Sequence, residues 1–550
     1  MKTQAFVVSA LEKVFPDERP MEYAGRLTML RKDQLSFQIA FRMETGLQDM
    51  NFREVSVKAE SPLEKWLDIT AVRCVPCRHI SGDVSDGNYL RTTPGMYPDL
   101  LEPLDEGKAL MEPNCWNAFW VQLRTDAETP AGSHPVTLTL QAGDETLCGV
   151  TVMVDIIPAE LPPQQLIFTQ WFYGDCVADY YGVEVFSERH WELMRAQIEA
   201  AAKYGVNMIL TPVFTPPLDT AVGKERTTIQ LVDVIRQDGV YAFRFDKLRR
   251  WVEMCRDCGI RYFEIAHLYT QWGALHCPKI MAEDNGVYCR IFGWEQDATG
   301  GEYKAFLRAF LPALTEELER LGLDREHVYF HVSDEPGRDD LAQYNACREQ
   351  IEPYLRGYRI MDALSEYDFY RDGVCAHPVV ATNAVTPFLE NHVPDLWVYY
   401  CVGQPYQVSN RFIAMPSARN RIIGTQMYKY EIAGFLHWGF NYYNTSLARK
   451  HIDPFAVTDA GGTLPAGDPF QVYPGDDGKP WDSIRVRVFY DAVNDMRALS
   501  MLEAMTSREY VMELLEGGLR EEITFFQYPK ESTYLLDLRS RINAEIQARL

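Results

Sequence analysis

Two acids stand side by side at the end of an apolar run, Val328-Tyr329-Phe330-His331-Val332-Ser333-Asp334-Glu335-Pro336. Adjacent carboxylates leaving a buried strand together exceed what helix capping needs and could do acid–base work. The plainer alternative has Asp334 capping the next helix and Glu335 pairing with an arginine. Pro336 lacks a backbone donor and biases Glu335 away from helix, so the strand ends there. Arg338 to Leu355 then reads as a helix, with Leu341, Tyr344, Ile351 and Leu355 on one face. Strand, acidic corner and helix form one unit of a repeating βα fold. In a closed barrel such corners lie at the C-terminal mouth, where the chemistry is done.

The other strand ends supply aromatics, amides and acids. Trp171 follows the first strand and Asn207 lies on the second; His267, Tyr269 and Trp272 follow the third. Asp362 follows the fifth, Trp397 and Tyr399 lie on a later strand, and His437, Trp438, Asn441, Tyr442 and Tyr443 follow the last. Flat rings stack on the apolar face of a pyranose while Asn, His and Asp meet its hydroxyls, so the set predicts a carbohydrate site. Glu335 is then the natural general acid. Ordinary glycosidases need a second carboxylate across the sugar, roughly 5–5.5 or 6.5–9.5 Å away. Asp334 is too close in sequence to reach the opposite face easily. Substrate-assisted hydrolysis suits neighbours better: the sugar's own 2-acetamido oxygen attacks, and the adjacent carboxylate holds the amide N–H and steadies the oxazolinium. Two alternatives stay open. One is a glycosidase with Glu335 as acid/base and a separate nucleophile, such as Asp362 or Glu431; the other is a non-catalytic carbohydrate-binding protein.

These residues need a frame to hold them. Alternating apolar residues at Leu35, Phe37, Ile39, Phe41, at Val55, Val57, Ala59 and at Val152, Val154, Ile156 predict an antiparallel β-sandwich over residues 1–160, closed by the stiff linker Pro158–Pro163. From residue 164 to 480, eight strand candidates alternate with amphipathic helices: Leu166–Phe172, Val206–Leu210, Ile260–His267, the run at Val328, Tyr358–Ala363, Val379–Thr382, Leu396–Val402 and Gly434–Trp438. Eight is the number that closes a (β/α)8 TIM-type barrel. A hairpin turning at Asp238-Gly239, pairing Thr228–Val234 with Val240–Phe245, is inserted after the second strand. Residues 481–550 read as C-terminal helices packed on the barrel, one from Ile484 to Met505 and one carrying Leu535, Leu538, Ile542 and Ile546.

Composition narrows the partners. The 550 residues are 47% hydrophobic, ordinary for a globular chain, and a net charge of −24 argues against nucleic acid or an anionic membrane surface. Dinucleotide, phosphate-loop, nucleophile-elbow and His-Glu-x-x-His signatures are missing, so no cofactor or metal is expected. Cys74/Cys77 and Cys255/Cys258 could together make a thiolate zinc site, but they fall in different predicted domains, and reduced thiols are the expectation. No signal peptide or membrane span is evident, which points to the cytoplasm.

Three blocks resemble glycoside hydrolase family 123, the β-N-acetylgalactosaminidases, and the wider domain family around it: Asp334-Glu335-Pro336, then Gly434-Phe435-Leu436-His437-Trp438-Gly439, then Gly467-Asp468 with Tyr473-Pro474-Gly475 and Ser483-Ile484-Arg485. The resemblance spans about 165–505. It implies Glu335 as acid/base, Asp334 as the residue orienting the acetamido group, Trp438 in the sugar pocket, terminal β-linked N-acetylgalactosamine as substrate, and no cofactor. Arg487, Tyr490, Ala492 and Asn494 depart from the family pattern.

Overall fold

The computed structural model describes residues 2–46, 49, 51–81 and 85–550. Its centre is a closed parallel barrel of eight strands: β1 (Ile167–Gln170), β2 (Met208–Thr211), β3 (Tyr262–Ile265), β4 (Val328–Phe330), β5 (Arg359–Ala363), β6 (His377–Ala381), β7 (Trp397–Tyr399) and β8 (Gly434–His437), with β8 pairing back onto β1. All eight fall within or beside the predicted runs. The barrel interior lies on one side of the strands and helices on the other, which is why they read as short, near-continuous apolar runs. Met208, Leu210, Tyr329, Met361, Val379, Trp397 and Leu436 fill the interior. Phe168, Ile209, Phe263, Phe330 and Val398 face the helices instead. The helix Gly301–Arg320 shows the matching pattern, with Phe306, Phe310, Leu314 and Leu318 buried one turn apart.

Trp397 plugs the barrel at the start of β7. A Cβ on Gly434 would lie 2.1 Å from its indole, so only glycine lets β8 pass.

The inserted hairpin is present, with its first strand at Asp233–Gln237, later than the reading from Thr228. Asp238 and Gly239 have φ of 50° and 78°, the two left-handed residues of a type I′ turn. Ile280–Asp284 and Val287–Phe292 extend it to four strands.

Two sheets precede the barrel, one of seven strands and one of five, packed around Phe37, Phe41, Phe119, Val121, Leu138 and Leu140. The strand Glu145–Glu160 runs on through Pro158 before the chain crosses to the barrel. The seven-stranded sheet is completed by a hairpin from beyond β8, Val472–Pro474 with Pro480–Ser483, which pairs with Gly95–Pro103. Arg485, just past that hairpin, donates from both Nε and Nη2 to the buried Asp99 at 2.8 Å. Sandwich and barrel therefore share a sheet edge and a buried ion pair, an arrangement that braces the barrel. The helices Ile484–Met505 and Ser532–Gln547 close this side, burying Leu535, Leu538, Ile542 and Ile546. No helix among the described residues is long and apolar enough to cross a membrane.

Candidate active site

The acidic corner opens at the C-terminal mouth of the barrel. Ladder pairing of β4 ends at Phe330, but backbone bonds continue along the corner: the Trp272 N–H donates to the Asp334 carbonyl at 2.9 Å and the Glu335 N–H to the Ala363 carbonyl at 3.0 Å. Glu335 has a φ of 44°. Pro336 disfavours right-handed helix there, and the N–H bond to the end of β5 accompanies the left-handed conformation. Such a conformation costs on the order of 1–3 kcal/mol and persists where neighbours over-determine it, commonly at functional sites.

Both carboxylates line a cavity of about 300 Å³ with Trp171, Tyr173, Leu218, Asp219, Gln271, Trp272, Tyr399, Leu436 and Trp438 among its walls. Their settings differ. Glu335 is exposed at the opening and accepts a hydrogen bond from the Tyr399 hydroxyl at 2.6 Å. Asp334 lies deeper, and no protein donor among the described residues reaches its carboxylate. Burial, with the negative Glu335 beside it, pushes the Asp334 carboxyl well above the usual carboxylate range; the cation at His331 opposes that.

Beneath the cavity lies a charged network. His331 bridges Glu264 (Nε2 to Oε1, 2.6 Å) and Asp362 (Nδ1 to Oδ1, 3.1 Å), all three fully buried. The two flanking acids hold its proton against the cost of burial, to a pKa of about 10. Glu264 also accepts from Trp171 Nε1 and Thr169 Oγ1, each at 2.7 Å, so the network fixes the plane of the Trp171 ring that walls the cavity. Trp438 is held likewise, its Nε1 donating to buried Asp468 at 2.9 Å. Burial raises the Asp468 carboxyl to about 7.

Removing His331 strands two buried carboxylates. His331→Gln is expected to cost about 3–5 kcal/mol of stability near neutral pH. The sign follows from the raised pKa: the imidazolium's contribution is complete below its ordinary pKa of 6.5 and is lost as pH climbs towards 10. Urea unfolding of both proteins at pH 6 and pH 9.5 checks this, and the gap between them should narrow at the higher pH.

Of the residues singled out in the sequence, Asp334, Glu335, Trp171, Trp272, Tyr399 and Trp438 are brought together around the cavity. The others are placed elsewhere. Asn207 sits at the opposite end of the barrel, its amide accepting from the Phe168 N–H (2.8 Å) and donating to the Leu166 carbonyl (3.0 Å) to tie β1 to β2. Trp397 is the interior plug. His267 lies behind Trp171, stacked on His331 at 4.1 Å, and Tyr269 donates to the Cys347 carbonyl at 3.1 Å. Asp362 is held by His331, the Tyr344 hydroxyl (2.6 Å) and the Val332 N–H. Asn441 clasps the Tyr173 backbone, and Tyr442 packs behind Trp438 with its ring 5.2 Å away. Glu431, proposed as a second nucleophile, precedes β8 at the far end and pairs with Arg508 at 3.9 Å.

Residues the sequence reading missed are Asp219, Gln271, Leu447 and Leu464, all in long βα loops with no periodic signal, and Glu264. Glu264 did leave a trace: an acid in the middle of the buried strand Tyr262–Ile265 is anomalous unless paired. Among the described residues one group could gather a metal, His267, His331 and Asp362, with ligand atoms within 4.8 Å of one another. His331 offers no lone pair there, because both ring nitrogens donate to carboxylates. The paired cysteines stay apart, Cys74 and Cys77 on a sandwich strand and Cys255 and Cys258 at the end of the helix Asp246–Asp257. The departures from the family pattern lie off the cavity: Arg487 pairs with Asp482 and Asp68, Tyr490 packs on Tyr204, Asn494 accepts from Arg497, and Ala492 meets Gly424 where two helices touch.

The family described as "Glycoside hydrolase 123, catalytic domain" matches residues 171–502. No curated protein matches the sequence. Among solved structures, a family 123 glycoside hydrolase from Clostridium perfringens, studied for glycolipid glycan hydrolysis, superposes with a TM-score of 0.73 over 100% of this chain and 97% of its own, at 14% identity. That likeness shows the fold. A family 39 glycoside hydrolase from Bacteroides cellulosilyticus superposes far more loosely, at a TM-score of 0.35 and 10% identity over 85% of this chain and 81% of its own.

Proposed function

The chain belongs to glycoside hydrolase family 123, and on that premise we propose that it is a retaining, substrate-assisted exo-β-N-acetylhexosaminidase releasing terminal N-acetylgalactosamine. Glu335 protonates the leaving oxygen, then activates the water that opens the oxazoline. Asp334 accepts the acetamido N–H and offsets the positive charge of the oxazolinium. The observation that carries this reading is Asp334 itself: a carboxylate facing a cavity of about 300 Å³ with no protein donor among the described residues, next to an exposed acid held by Tyr399. Half-buried and open to the cavity, the Asp334 carboxylate is placed to accept from a donor on a bound ligand. Trp171, with its N–H tied behind the wall, offers the sugar only a flat apolar face. The preference for galactosamine over glucosamine rests on the family resemblance, and the Clostridium enzyme makes glycolipid glycans a natural class to assay.

Asp219 favours one competing reading. It is the cavity's third carboxylate, its Oδ1 accepting from the Leu447 N–H at 3.1 Å, and a mechanism with a separate nucleophile would fall to it. A panel of nitrophenyl glycosides with and without a 2-acetamido group, combined with N-acetyl-thiazoline inhibition, separates the two. Activity confined to acetamido sugars with potent thiazoline inhibition is expected. Indifference to the acetamido group, with an ester trapped on Asp219, would overturn the proposal.

A further inference from the structure

Trp272 is built differently from the other cavity aromatics. Trp171, Tyr173 and Tyr399 are buried in the wall, whereas Trp272 lines the same cavity and is 49% exposed. A lone exposed ring is ordinary on a protein surface, but one at the rim of a cavity is open to stack on a ligand. This one is not a loose side chain. Trp272, Gly273 and Ala274 are three successive left-handed residues, with φ of 54°, 111° and 54°. For a residue as bulky as tryptophan that conformation is a genuine outlier and must be held in place by its surroundings.

The surroundings are on hand. The loop closes on itself through the Thr270 N–H to the His276 carbonyl (3.1 Å) and the His276 N–H to Thr270 Oγ1 (3.2 Å). The Ala274 carbonyl accepts from Gln343 Nε2 at 2.9 Å, and the Leu275 carbonyl from the Ala298 N–H at 3.1 Å. Ala274 is fully buried. The fold thus strains and anchors a tight loop, and its tip carries an indole with half its surface in water.

Its position says which part of a substrate would meet it. The Trp272 N–H donates to the carbonyl of Asp334 at 2.9 Å, one peptide from Glu335. On the function proposed above, Glu335 protonates the glycosidic oxygen, so the leaving group starts at that side chain. With the released sugar in the depth of the cavity beside Asp334, whatever follows must emerge at the opening beside the exposed acid. We propose that Trp272 is the platform of a leaving-group subsite: its exposed face stacks on the hexose bonded to the released sugar, and it selects for oligosaccharides over simple glycosides. This deepens the proposed function and rests on it.

The experiment compares wild type, Trp272→Ala and Trp272→Phe on three probes: an oligosaccharide in which β-linked N-acetylgalactosamine is joined to a hexose, the methyl β-glycoside of N-acetylgalactosamine, and free N-acetylgalactosamine as inhibitor. Trp272→Ala should lose about tenfold or more in kcat/KM on the oligosaccharide. Because Trp272 also borders the cavity, some loss on the methyl glycoside is expected, but it should be several-fold smaller than on the oligosaccharide, so the readout is the ratio of the two kcat/KM values between wild type and variant. Trp272→Phe should recover most of the loss. An equal loss on both glycosides, or weaker monosaccharide inhibition in step, would put Trp272 in the released sugar's pocket and overturn the proposal; so would an undiminished rate on the oligosaccharide. If wild type cleaves only glycosides without a 2-acetamido group, the functional reading fails while the same comparison on that glycoside still decides the subsite. A wild type that cleaves no glycoside overturns both.

Discussion

Glu335→Gln is expected to slow hydrolysis of glycosides with poor leaving groups by about 10²–10⁴-fold, the usual contribution of a positioned general acid. An amide of the same shape can still accept the Tyr399 hydroxyl bond, so the corner should keep its geometry while losing the transferable proton. Activated aryl glycosides need little protonation of the departing oxygen, and their glycosylation step should suffer far less. Their turnover then stalls at the second step, where water must be deprotonated to open the oxazoline. Azide, a nucleophile that needs no base, should restore turnover and give the β-glycosyl azide. Steady-state kinetics across a leaving-group series, with and without azide, reads both halves. A loss equal for good and poor leaving groups, and unaffected by azide, would mean that Glu335 is not the acid/base.

How much of this was legible beforehand depended on whether a residue's role left a local signature. The acidic corner was legible because three things coincide in nine residues: a buried strand, two charges at its end, and a proline that stops it. The barrel was legible because parallel strands buried on both faces read as short apolar runs between amphipathic helices. Within the site, residues at or beyond a strand's C-terminal end that point into the mouth were placed well, as Trp171, Trp272, Tyr399 and Trp438 show. Those at a strand's start or in its middle were not. A tryptophan entering a strand, such as Trp397, carries the same letters as one leaving it, and only barrel closure against Gly434 makes it a plug. Asp362 was expected to meet substrate, yet one layer down in the barrel it meets His331 instead. Asp219 and Leu447 come together from loops more than two hundred residues apart, and no spacing rule announces that contact. Glu264 is the instructive miss. An acid inside an apolar strand implies a buried partner, and His331, in the apolar run at the end of another strand, was the obvious counterpart.

That buried partnership bears on the second large effect, at Asp334. Asp334→Asn is expected to lower kcat by about 10²–10³-fold on acetamido sugars, the scale seen when one preorganised electrostatic group is removed from a transition state. The neutral amide neither offsets the oxazolinium charge nor accepts the acetamido N–H as strongly as a carboxylate does. Because that charge exists chiefly in the transition state and intermediate, kcat should fall more than KM rises. The wild-type pH profile gives an independent check. With Glu335 carrying the acid's proton in the active form, burial still holds the Asp334 carboxyl above the usual carboxylate range, so as pH falls through that raised value Asp334 takes up a proton and activity drops. The acid limb should therefore lie above the ordinary carboxylate value of 3.8, and in Asp334→Asn it should be absent or move down. Asp334→Glu tests the geometry separately. It keeps the charge but pushes it a methylene further into a cavity of about 300 Å³, where it competes with the acetamido group for space. If the charge alone mattered, Glu would rescue; under a substrate-assisted mechanism it should remain nearly as slow as Asn, because the carboxylate must sit beside the amide nitrogen rather than in its place.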